Sequence, residues 1–198
     1  MTTRKYSVLP VLVLLACSLI PLTAAAGPIT FTESFTASGT VNGNPFDGNV
    51  MFSLSTDTSL ITGGGGLFVT PDGVASVTIQ GVGTGTFTDP FYVFDNQGVS
   101  VAGFSDPNIE DIVDLSNSAF ATYDLKSAIG PLASSFFFVD TGQALGSTLG
   151  TIILDSTSGT PTFAATTGGG TTPEPGSLVL FGSGVVGLAT VIRRKLKH

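Results

Sequence analysis

The middle of the chain alternates apolar and polar side chains with a period of two, which constrains its fold more than any other feature. Runs 50–55 and 75–80 place an apolar residue at every second position, and run 29–35 repeats the pattern until Glu33 interrupts it. A β-strand with one buried face has this period, because successive side chains point to opposite sides. The pattern therefore predicts half-buried strands.

Three shorter runs are continuously apolar and are typical of strands buried on both faces: 91–94, 136–139 and 152–154. Clusters of Gly, Pro, Asn and Asp separate the runs about every ten residues, as turns do. Only Ile109–Leu115 and Tyr123–Ile129 have the composition of short helices. We therefore predict an all-β fold, an antiparallel β-sandwich or jelly-roll-like domain.

The distribution of charge excludes one class of partner. Charged residues make up 11% of the chain, and six of the seven cationic side chains lie near its two ends. Residues 27–172 contain thirteen carboxylates and one cation, Lys126, which gives a formal charge of −12. Phosphate backbones are bound by clustered Lys and Arg, so we expect no nucleic-acid partner.

The first 26 residues have the three parts of a secretory signal peptide. Arg4 and Lys5 precede the apolar run Val8–Leu22, and the small residues Ala24 and Ala26 follow it. We predict export through the Sec translocon and cleavage by signal peptidase after Ala26, with Ala24 and Ala26 forming its recognition site.

Two alternatives to a cleaved signal peptide remain open. A permanent transmembrane helix would need about 20 apolar residues, whereas this run is shorter and contains Pro10 and Pro21. Leu14–Cys17 loosely resembles a lipoprotein box, in which Cys17 would carry the lipid. Apolar sequence continues beyond Cys17, and the site at Ala26 is the better match.

The C-terminal end combines a linker, a proline motif, an apolar segment and a basic cluster. Residues 166–172 are a Gly/Thr linker, and Pro173, Glu174 and Pro175 form a stiff, extended stretch. Leu178–Ile192 carries no charge and, as a helix, is just short of the hydrocarbon core, which makes it a marginal transmembrane span. A stop-transfer cluster follows, which the positive-inside rule places in the cytoplasm: Arg193, Arg194, Lys195 and Lys197.

In this order, these segments resemble the PEP-CTERM sorting signal over Thr172–Lys197, although the family often has Val where Thr172 stands. The resemblance implies recognition of Pro173, Glu174 and Pro175 by an exosortase, a membrane-embedded transpeptidase-like enzyme. It also implies transient anchoring in the inner membrane of a Gram-negative bacterium that makes exopolysaccharide or biofilm matrix. The mature domain would then reach the cell surface or the extracellular matrix.

The predicted organisation is therefore a β domain flanked by an N-terminal signal helix and a C-terminal transmembrane helix. The boundaries are 1–26 for the signal peptide, 27–165 for the extracytoplasmic domain, 166–172 for the linker and 173–198 for the sorting and anchor segment.

The middle region lacks the residues of most catalytic sites. It contains no His and no Cys, which removes Ser-His-Asp and Cys-His systems and the usual zinc sites. We expect no catalytic residue, no cofactor and no metal. The acidic stretch 106–114 resembles the start of a calcium loop, but Asp111 replaces the required glycine and Asn117 the closing glutamate. A solvated loop is the preferred interpretation, and a weak calcium site is the alternative.

Two functions remain in competition at this level. The first is a non-enzymatic surface or matrix protein, structural or associated with exopolysaccharide. The second is a secreted carbohydrate-active enzyme that uses paired carboxylates, for which two acids at a suitable separation suffice.

Overall fold

The computed structural model describes residues 26–168, so the signal helix and the C-terminal helix predicted above lie outside the described residues. Within 26–168 no helix is long and apolar enough to cross a membrane. The described residues form thirteen β-strands and two 3-10 helices, Thr58–Leu60 and Ser118–Thr122. The prediction of an all-β fold is confirmed for this part of the chain.

All the strands pair in antiparallel fashion, and they form two sheets. The first sheet has the order β10-β13-β1-β2-β5-β6, with β12 beside β13. Its strands are β1 (Pro28–Val41), β2 (Asn44–Asp57), β5 (Ser76–Ile79), β6 (Gly83–Thr86), β10 (Ile129–Ala133), β12 (Ala144–Leu145) and β13 (Ile152–Thr167).

The second sheet follows chain order, β3-β4-β7-β8-β9-β11, from one edge to the other. Its strands are β3 (Thr62–Gly64), β4 (Leu67–Val69), β7 (Tyr92–Asn96), β8 (Val101–Asp106), β9 (Glu110–Ser116) and β11 (Ser135–Val139). Each neighbour in the row is therefore the next strand of this sheet along the chain. Two of its connections pass through the first sheet: the chain between β4 and β7 contains β5 and β6, and the chain between β9 and β11 contains β10.

Aromatic side chains join the two sheets across one shared hydrophobic core. Phe52 on β2 lies 6.0 Å from Phe104 on β8, and Phe35 on β1 lies 6.1 Å from Phe136 on β11, measured between ring centroids. Both contacts are edge-to-face, the geometry that aromatic quadrupoles favour. Each fully buried Phe contributes about 1.5–3 kcal/mol to folding, so these contacts hold the sheets together.

The long hairpin of β1 and β2 forms because its strands alternate apolar and polar residues and its turn is suited to tight reversal. Asn42 and Gly43 both have positive φ, 51° and 78°. A two-residue hairpin turn of this kind requires positive φ at both positions, and Asn and Gly tolerate it best. Val41 consequently pairs with Asn44, and the register continues to Pro28 opposite Asp57.

The predicted alternation is confirmed on β2 and β5, whose apolar positions are buried and whose intervening positions are more exposed. The helical interpretation of 109–115 is wrong, because Glu110–Ser116 is strand β9, paired with β8 and β11. Residues 123–128 form no helix, and Ile129 begins β10. β13 continues to Thr167, paired with Ile29, two residues into the predicted linker.

Candidate functional site

A pocket of about 370 Å³ opens on the second sheet at β9 and β11. Its apolar lining includes Phe137 and Phe138, whose side chains are 60% and 45% exposed, together with Ile109. Its polar lining consists of carboxylate side chains: Glu110, Asp111, Asp114 and Asp140. The pocket therefore combines exposed aromatic faces with concentrated negative charge.

A β-bulge in β11 turns the aromatic residues outward. Phe136 pairs with Leu115 and Phe138 pairs with the adjacent Asp114, so Phe137 is an extra residue on this strand. Phe136 points into the core toward Phe35. The prediction that run 136–139 is buried on both faces is wrong for Phe137 and Phe138, since the bulge places both rings in contact with solvent.

A second bulge, in β9, brings two acids to the same face. Phe104 pairs with Val113 and Ser105 pairs with Asp111, which leaves Ile112 as the extra residue. Residues three positions apart in a regular strand point to opposite faces, so without the bulge Asp111 and Asp114 would be separated by the sheet. Phe104 faces the core, and its pairing partner Val113 faces the same way. The next residue, Asp114, therefore lies on the opposite face of the sheet, away from the core.

The carboxyl groups of Asp111 and Asp114 both line the pocket. The Ser105 hydroxyl donates to Asp111 Oδ1 at 2.6 Å. Asp114 is only 2% exposed, and its Oδ1 has no hydrogen-bond partner. Burial, reinforced by the negative charge of Asp111, raises the pKa of Asp114 to about 8.

At neutral pH Asp114 is therefore mostly protonated, because burial and a neighbouring negative charge both disfavour its ionised form. The two carboxyl groups can bind a ligand's donor group or exchange a proton.

Two further buried acids lie outside the pocket. Glu33 on β1 is fully buried, neither carboxyl oxygen has a partner, and its pKa is raised well above the usual value by burial and by the charge of Asp114. Asp95 on β7 is also buried without a partner, and burial followed by the charge of Asp124 raises its pKa to about 7. Burial therefore favours the neutral form of both groups.

The sorting residues Pro173, Glu174 and Pro175, the basic cluster at 193–197 and Ala24 lie outside the described residues. Ala26 is exposed and precedes β1. The backbone N–H of the next residue, Gly27, donates to the Thr58 hydroxyl at 3.1 Å. Cleavage after Ala26 stays a prediction.

The acidic stretch 106–114 comprises the end of β8, a turn and most of β9. Asp106 Oδ1 accepts from the backbone N–H of Asn108 at 2.7 Å, which closes the turn before β9. Across residues 26–168, no three acidic, His or Cys side chains are arranged to hold a metal ion. The geometry therefore gives the calcium hypothesis no support.

Sequence reasoning identified the acidic stretch but missed the pocket. Its aromatic side comes from β11, about 25 residues further along the chain, and both bulges arise from strand pairing. For one buried acid outside the pocket the sequence did contain a local signal. Glu33 occupies an inward position of an alternating strand, which predicts a buried carboxyl group.

The comparison with known families matches the other end of the chain. Residues 171–195 match the PEP-CTERM protein-sorting motif. The chain therefore carries a C-terminal sorting signal of the kind that exosortases process, which confirms the resemblance described above and implies an exported, exosortase-sorted protein. No curated protein and no solved structure is significantly similar to the chain.

Proposed function

We propose that this is a non-catalytic protein of the cell surface or extracellular matrix, whose β-sandwich domain associates with exopolysaccharide. The observation that carries the proposal is the sorting motif at 171–195, joined to a domain of formal charge −12. Signal peptidase and the Sec translocon deliver the chain. The segment Leu178–Ile192 then holds it transiently in the inner membrane of a Gram-negative cell until an exosortase processes it.

The lack of common catalytic groups supports a non-catalytic role. The sequence contains one His and one Cys, at positions 198 and 17, both outside the domain. Carboxyl groups are therefore the principal acid–base groups of the domain near neutral pH.

Association with a polysaccharide is supported by the pocket on β9 and β11. Carboxylates accept hydrogen bonds from sugar hydroxyl groups, and the exposed rings of Phe137 and Phe138 offer apolar faces. A volume of about 370 Å³ lies in the range of small-ligand sites. Exposed aromatic side chains next to polar groups commonly mark a binding surface.

The second candidate, a carbohydrate-active enzyme, draws on one observation. The raised pKa of Asp114 keeps a proton on it beside other carboxylates, as a general acid requires. Incubating the purified protein with the producing cell's matrix polysaccharide discriminates the two functions. Turnover abolished by Asp114→Asn would establish the enzyme, whereas retention on the polymer without product supports the binding protein.

A localisation experiment tests the proposal as a whole. The proposal predicts that wild-type domain fractionates with the matrix, and that enzymatic removal of the polysaccharide releases it. If the domain is recovered in the same fraction whether or not polysaccharide is present, association with exopolysaccharide is wrong.

A further inference from the structure

We propose that the pocket on β9 and β11 binds the ammonium group of an amino sugar in a cationic polysaccharide. The inference rests on the proposed function and names the class of polymer involved. Four acidic side chains and two exposed aromatic rings line the site, and the carboxyl group of Asp114 is the most buried of the four.

The charge of the pocket selects the sign of the ligand. No cationic side chain contributes to its lining, and Lys126 is the one cation in residues 26–168. An acidic polysaccharide would meet uncompensated negative charge, whereas a ligand cation would neutralise it. The complementary group is therefore positively charged.

The buried oxygen of Asp114 shows where a ligand donor is missing. Its Oδ1 is shielded from solvent and has no hydrogen-bond partner, although it belongs to a residue that lines the pocket. A buried polar atom without a partner is unfavourable, and nearly all such atoms in proteins are satisfied. An N–H donor entering the pocket would satisfy it and would be attracted by Asp111.

The aromatic wall favours an organic cation over a metal ion. Residues 26–168 offer no group of three metal-ligating side chains, and Phe137 and Phe138 provide no ligand for an inorganic cation. Aromatic faces do attract organic ammonium groups and also cover apolar surface. An amino-sugar unit presents an ammonium group, hydroxyl donors and an apolar ring face, and each has a counterpart in this pocket.

Binding of the full chain, solubilised in detergent, to a glucosamine tetramer tests the inference at a pH where the amine is protonated. The matched ligand is the N-acetylglucosamine tetramer, which keeps the rings and removes the charge. We expect the glucosamine tetramer to bind at least tenfold more tightly, and high salt to weaken it. Equal affinity for the two tetramers would overturn the inference.

Variants locate the binding site. The double substitution E110Q/D140N removes two charges from exposed or half-buried positions and should weaken binding at least tenfold; F137A should weaken it severalfold. D72N removes an exposed charge elsewhere and should leave binding unchanged. If E110Q/D140N binds like D72N, the pocket is not the site.

A lysine tetrapeptide separates the sugar from a cationic peptide. Tighter binding of the peptide than of the glucosamine tetramer would make the partner a protein and would contradict the inference. Failure to bind the glucosamine tetramer, combined with retention on the cell's own matrix polysaccharide, would overturn the inference and leave the proposed function intact. Loss of matrix association as well would remove both.

Discussion

At the scale of single residues, the second sheet contains a close contact between a glycine and a buried acid. Gly103 on β8 pairs directly with Asp114 on β9. A methyl group built at Gly103 would overlap Asp114 Oδ1 and lie 2.6 Å from the carbonyl oxygen of Val113. Because Gly103 has no side chain, the carboxyl group of Asp114 can lie against β8 and remain buried.

The substitution Gly103→Ala should lower the free energy of unfolding by about 2 kcal/mol or more, because either Asp114 or the β8–β9 pairing must shift. Chemical denaturation measures the change. Gly64→Ala is the matched control, since a methyl group there meets nothing within 4 Å, and it should change stability by less than about 0.5 kcal/mol. Similar effects of both substitutions would contradict this account of Gly103.

At the scale of secondary-structure elements, the alternating strands could be predicted and the bulged strands could not. The run 50–55 has a period of two because one face of β2 lies on the core. This strand can therefore be predicted from its own sequence, without knowledge of the strands beside it. β9 does not alternate in this way: Ile112, Val113, Asp114 and Leu115 are all buried. Its conformation depends on pairing with β8 and β11, which no local pattern records.

The pocket was unpredictable for the same reason. The bulge in β11 exposes Phe137 and Phe138, although their sequence context is typical of a buried strand. The bulge in β9 aligns Asp111 with Asp114, although their spacing places them on opposite faces of a regular strand. In both strands one inserted residue reverses the side on which the next residues lie.

The turn between β1 and β2 provides a prediction at this scale. Gly43→Ala should destabilise the protein by about 1–2 kcal/mol, because position 43 has φ of +78° while no neighbouring atom lies near the new methyl group. Gly43→Asn should cost less, since Asn tolerates this region. Equal losses in denaturation experiments would show that the backbone conformation is not the cause.

At the scale of the whole molecule, three buried carboxyl groups couple folding to pH. Burial raises the pKa of Asp95 to about 7 and that of Asp114 to about 8, and the pKa of Glu33 is also raised. In the unfolded chain these groups have pKa values of about 4. Between those limits the folded protein binds more protons than the unfolded chain, so the free energy of unfolding falls as pH rises.

We therefore expect the melting temperature to be highest near pH 4–5 and to fall toward pH 8. Each group can contribute a slope of up to about 1.4 kcal/mol per pH unit between its unfolded and folded pKa values. Glu33→Gln and Asp95→Asn should each flatten the profile, whereas Asp72→Asn, at an exposed site, should flatten it far less. Profiles of equal steepness in all three variants would refute the role of the buried acids.

The central claim concerns the whole chain: an acidic β domain is exported and then processed at its C-terminal sorting motif. The most direct test is the intact mass of the mature protein from cells with and without their exosortase, alongside Glu174→Gln and its charge-matched control Asp155→Asn. The account predicts that wild type and Asp155→Asn lose Arg193–Lys197, while Glu174→Gln and wild type from exosortase-deficient cells retain them. The same mature mass in all four samples would contradict it.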